Sequence, residues 1–191
     1  MNMRFLAVLA VVLSSCTSVP LASLPKLARI DFMTTDLSRM RVAIALPLSL
    51  APKAGGVVME MKYRVAENPE QQENLLLVQS SALADKVGLP IDATREQAVF
   101  VFQLLPKDVE RLNALRAKVA AAKQAHEKGS LGLGISAKQF CKVSAPPSGT
   151  LLSTTYVLTS ETESYVTMAQ NFDLRSDPQV AEGLTQLEAC K

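Results

Sequence analysis

Few residue types in this 191-residue chain could do covalent or metal chemistry. His126 is the single histidine, so a Ser-His-Asp or Cys-His site would have to be built on it. No serine sits in a G-x-S-x-G elbow, and His126 ends a lysine-rich helical pattern, where contact with terminal carbonyls is the simpler reading. Glu161 and Glu163 could supply a carboxylate pair of the kind glycosidases use, but they share a polar hairpin loop and read as solvated. Met59 and Met61 are soft donors of the sort Cu(I) takes; on one face of an alternating strand they read as core filling. A zinc site of histidines and cysteines cannot be assembled, and Gly129, Gly132 and Gly134 do not follow the dinucleotide order. The expectation is a protein that is not an enzyme and takes no metal and no cofactor.

One constellation points instead to binding. In the strand expected at 130–136, Ser130, Gly132, Gly134 and Ser136 share one face, while Leu131, Leu133 and Ile135 share the other. Glycine inside a strand costs stability and marks a close approach to the backbone. Either a helix or an aromatic side chain lies against this bare face, or these four residues floor a groove for a small ligand or lipid.

The N-terminus carries an address. Arg4 precedes nine unbroken apolar residues, Phe5 to Leu13, then Ser14, Ser15 and Cys16. Nine apolar residues are too few to span a bilayer, which takes about 20, and they fit the core of a secretory signal. Leu13-Ser14-Ser15-Cys16 resembles the lipobox of bacterial lipoproteins. That resemblance implies cleavage after Ser15, acylation of Cys16, and a signal peptide over 1–15. Thr17, in place of an acidic residue after the cysteine, implies the outer membrane, on its periplasmic face, with the inner membrane as the alternative. An ordinary signal cut near Ala22, releasing a periplasmic protein, is the competing reading. Several acyl chains on one residue give stable attachment where a single chain does not.

Two cysteines remain, Cys141 and Cys190. An even number in an exported chain favours a disulfide, since that compartment is oxidising; buried free thiols or a metal site are the alternatives. With Arg4 removed the formal charge falls from +2 to +1, which leaves no electrostatic case for nucleic acid. The chain is 48% apolar and 20% charged, excluding a disordered tail or a multi-pass membrane protein.

The positioning elements follow from periodicity. Residues 16–36, with Pro20 and Pro25, read as a lipidated tether, and 37–191 as one globular domain. Strands are expected at 40–46, 57–65, 75–78, 98–105, 130–136, 151–159 and 165–169, with a helix as the other reading of 70–86. The runs at 75–78 and 98–105 are apolar on both faces and so should be covered twice. A long helix is expected from Pro106 to Lys128, ended by Gly129, with Leu112, Leu115, Val119 and Ala122 as its apolar stripe. A short helix starts at the Asp177-Pro178 cap, with Val180, Leu184 and Leu187 inward. The fold expected is α+β: an antiparallel sheet or sandwich of about seven strands, with the long and the short C-terminal helix on one face. Function is expected to be that of a non-enzymatic envelope lipoprotein, accessory or scaffold to a larger assembly and meeting other envelope proteins. The rivals are a small-ligand or lipid carrier and, more weakly, a periplasmic hydrolase.

Overall fold

The computed structural model describes residues 19–90 and 96–190. Cys16 and the signal expected at 1–15 lie outside these. The elements run α1 (Leu24–Leu27), β1 (Arg41–Pro47), β2 (Leu50–Pro52), β3 (Val57–Val65), β4 (Gln71–Gln79), β5 (Gln97–Leu104), α2 (Pro106–Gln124), β6 (Gly129–Ala137), β7 (Phe140–Lys142), β8 (Leu152–Leu158), β9 (Val166–Asp173) and α3 (Pro178–Thr185). The fold is α+β. Seven strands form one curled antiparallel sheet in the order β6-β3-β4-β5-β1-β8-β9, and β2 pairs with β7 in a separate ribbon.

Alternation puts the core on the concave face. Met59 pairs with Ile135, Met61 with Leu133 and Tyr63 with Leu131, so one side of β3–β6 is continuously apolar. Val42, Ile44 and Leu46 of β1 and Leu75 and Leu77 of β4 join the same core. Residues 71–79 form a strand rather than the alternative helix, paired to β3 on one side and β5 on the other. A second, smaller cluster lies on the convex face: Ala43, Ala45, Val101, Tyr156 and Tyr165, with Leu89 of the β4–β5 connection packed against it. This gives β5 the cover on both faces that its apolar run requires, and β1 with it, whereas the run at 75–78 in β4 is covered on one face only, since Leu76 is 53% exposed. Asp85 ties that connection down. It accepts from Ser80 Oγ at 2.5 Å, pairs with Arg41 Nε at 3.0 Å, and its backbone carbonyl accepts from the Tyr165 hydroxyl.

Helix α2 opens with Pro106 in its first turn and buries Leu112, Arg116, Val119 and Ala122 against β3 and β6. It stops short of the expected Lys128. His126 adopts a left-handed φ of 60°, with its N–H donating to the Lys123 carbonyl and the Glu127 N–H to the Ala122 carbonyl. That pair of bonds is a Schellman cap with histidine in glycine's usual place. Gly129 instead opens β6, where an added Cβ would stand 2.9 Å from the Val119 carbonyl oxygen. Asp177 caps α3 through its side chain, accepting from the Gln179 and Val180 amides.

Cys141 in β7 is bonded to Cys190, so the chain following α3 is stapled to the ribbon. Backbone hydrogen bonds from Lys142 to Glu188 and from Cys190 to Lys142 hold the same join. The stretch read as tether is in part packed: Leu27 and Ile30 sit against the main core.

Candidate functional site

The curl of the sheet creates the feature most able to bind something. Strands β6 and β9 stand at opposite ends of the strand order, yet Leu133 and Ile135 of β6 and Met168 of β9 line the same cavity. Met59 of β3 and Val157 of β8 form its floor, and Met40 lies at the entry to β1. The remaining wall comes from the N-terminal segment, through Leu27, Ile30 and Phe32. All nine lining residues are apolar, and the space measures about 170 Å³.

Such a lining recognises matter by dispersion and exclusion of water, with no group to orient a reacting bond. An engineered apolar cavity of about 150 Å³ stays dry and takes benzene. The space here therefore suits a ring or one stretch of alkyl chain, and is far below what a whole diacyl lipid would need. Three of its walls are methionines, whose flexible thioethers adapt to irregular occupants.

A buried polar node holds the N-terminal segment in place. Arg116 on α2 is 8% exposed and donates through Nη1 to the Thr35 carbonyl at 2.7 Å and to Asn113 Oδ1 at 3.1 Å. Burial lowers its pKa below the ordinary guanidinium value, opposed by the negative charges of Asp31, Glu161 and Asp36. Glu161 lies in the β8–β9 connection. Burial would raise its carboxyl, but the polar groups around it, Thr159, its own amide, the Ser160 hydroxyl that donates to Oε1 at 3.1 Å, and Thr35, outweigh that and lower its pKa. The node thus joins three parts of the chain: α2, residues 31–36, and the loop after β8.

The residues singled out from sequence fall as follows. Ser130, Gly132, Gly134 and Ser136 lie on the convex face of β6, opposite Arg64, Lys62, Glu60 and Val58 of β3. A Cβ at Gly132 would have only the Lys62 carbonyl oxygen within 4 Å, at 3.9 Å, and one at Gly134 only that of Glu60, at 4.0 Å. Neither a helix nor an aromatic ring presses on these glycines, and the space around them does not require glycine. The cavity is on the other side of the same strand. His126 is exposed. Glu161 and Glu163 stand in one connection, Glu161 in the polar node and Glu163 exposed. Met59 and Met61 are both buried in the core. Among the described residues, no cluster of three or more His, Cys, Asp or Glu could hold a metal ion.

The cavity's β6 wall was visible in the sequence as the Leu131-Leu133-Ile135 face. Its N-terminal wall was not, because Leu27, Ile30 and Phe32 follow a proline-containing stretch with no sustained period. The chain matches no protein-family model, no curated protein and no solved structure.

Proposed function

We propose that this chain is a non-catalytic binding domain of the cell envelope, anchored through an acylated Cys16 at the outer membrane, that holds one apolar chain or ring in the cavity of its curled sheet. The anchor rests on the signal-like N-terminus and its lipobox resemblance. The observation that carries the binding role is the recess, lined by apolar residues and partly open to solvent, that β3, β6, β8, β9 and the N-terminal segment form together. Water held against apolar walls is released when an apolar guest covers them, and that release favours binding.

Native mass spectrometry of the mature protein, released gently from membranes, tests this reading. The expected result is an added mass of an alkyl or aromatic species, lost on exposure to organic solvent. A naked chain that also fails to bind benzene or decanoate by calorimetry overturns the binding role.

One observation favours a second reading, that of an accessory within a larger envelope assembly. Leu83 and Val87, in the β4–β5 connection, are 82% and 75% exposed. Two large apolar side chains so bare, four residues apart, suit a protein contact. Crosslinking in intact cells followed by recovery of the lipidated protein tests it. Loss of a crosslinked partner in the Leu83→Ser, Val87→Ser variant is expected, and recovery of nothing above background counts against it.

A further inference from the structure

The cavity uses only the later apolar residues of the N-terminal segment. Leu27 and Ile30, three residues apart, face inward and line the cavity. Val19, Leu21 and Leu24, earlier in the segment, remain 38%, 83% and 48% exposed. Residues 21–23 form a 3-10 turn that runs directly into α1, so Leu21 and Leu24 lie one turn apart. Lys26 and Arg29 are exposed beside them, and residues 17–30 contain no acidic side chain. Exposed leucines next to cations, with no anions among them, are the pattern of a segment that lies in a bilayer interface.

We propose that residues 19–29 form a second, protein-borne contact with the membrane surface, seating Leu21 and Leu24 among the lipids while Leu27 and Ile30 close the cavity behind them. This rests on the anchored reading above. Only three peptide steps separate Cys16 from Val19, a span of at most about 11 Å. An acyl group on Cys16 therefore holds Val19 close to the headgroups, and the segment after it within reach of the interface. Lys26 and Arg29 favour anionic headgroups. The arrangement sets the cavity against the bilayer, so an alkyl chain would pass from lipid to protein beneath this segment without crossing bulk water.

The chain has no tryptophan, so one introduced indole reports on one place. Leu21→Trp is expected to fold normally, given how exposed Leu21 is. The full mature lipidated protein is reconstituted in vesicles of phosphatidylethanolamine and phosphatidylglycerol, with or without brominated acyl chains. A separate Leu83→Trp variant serves as the second reporter, on a different connection. The Leu21→Trp protein is expected to show blue-shifted emission that falls at least about twofold with brominated lipid, and the Leu83→Trp protein emission that does not change. Protein that floats with the vesicles while the indole at position 21 stays unquenched and solvent-like overturns the contact and leaves the anchor standing. Protein that fails to float overturns the anchor, and the contact with it. Quenching in the Leu83→Trp variant but not in Leu21→Trp also overturns the proposal, since the membrane would then lie against another face.

Discussion

Replacing Val157 by phenylalanine should leave the fold at least as stable while removing its capacity for apolar guests. Val157 is buried on the concave face of β8 and forms part of the cavity wall. Phenylalanine adds four carbons to the valine side chain. At about 0.8 kcal/mol per buried carbon the ceiling is about 3 kcal/mol, and strain from an imperfect fit takes back about 1–3 kcal/mol. The net change should fall between zero and about +2 kcal/mol, whereas the same substitution in a filled core is plainly destabilising. Urea unfolding followed by circular dichroism reads the first half, with the midpoint unchanged or raised at constant slope. Calorimetric titration with benzene or decanoate reads the second, with affinity reduced at least about tenfold, or about 1.4 kcal/mol. Val157→Ala supplies the opposite sign: weaker folding with binding retained. Two results would refute the reasoning. A well-folded Val157→Phe protein that binds as before places the guest elsewhere, and a loss of more than about 3 kcal/mol shows there was no space to fill.

Other expectations follow from the same geometry. Reducing Cys141–Cys190 frees a loop spanning 49 residues, and loop-closure entropy puts the loss near about 4 kcal/mol; thermal melts with and without reductant check this, and coincident melts refute it. Arg116→Met removes the donor that holds the Thr35 carbonyl, and an unsatisfied buried acceptor costs about 1–3 kcal/mol. Hydrogen exchange should therefore quicken in residues 27–36 more than in β1, and uniform acceleration would mean the node does not act locally. The Tyr165 hydroxyl is pushed up to about 12 by burial and by the nearby charge of Asp85, partly offset by Arg41. The folded state thus keeps a proton that the unfolded chain gives up near pH 10, so stability should be full below pH 10 and fall as pH rises towards 12. Tyr165→Phe should flatten that fall in alkaline unfolding curves, and an unchanged slope would assign it to other groups. Asp85 shifts the other way. Hydrogen bonding from Ser80 and pairing with Arg41 lower its pKa against the cost of burial. Its contribution is present above pH 3.8 and lost as pH falls through the lower folded value, so Asp85→Asn should lose the acid-side slope of stability.

Local pattern was enough for most of the elements. The alternation in 57–65 and 130–136, the proline-opened helix at 106 and the Asp177 cap each depend on neighbours within a few residues, and the fold builds them there. Short segments without a period were illegible. The ribbon of β2 and β7 spans three residues on each side and exists because Leu50 meets Lys142 and Pro52 meets Phe140, about ninety residues apart in sequence. The end of α2 was misplaced for a related reason: glycine is the usual left-handed residue, yet His126 takes that conformation while Gly129 is needed where the Val119 carbonyl crowds β6.

The site divides along the same line. Which side of β6 is apolar was settled by residue order, since a strand's side chains must alternate. Which side of the sheet is concave was not, and it is the curl that brings β6 and β9 around one space and lays residues 27–32 across it. Curvature accumulates strand by strand from twist and from what packs on each face, and no window of the chain contains that sum. Composition and spacing therefore determined the building blocks and the scarcity of reactive groups, whereas the cavity and its N-terminal wall came into being only when distant strands closed towards each other.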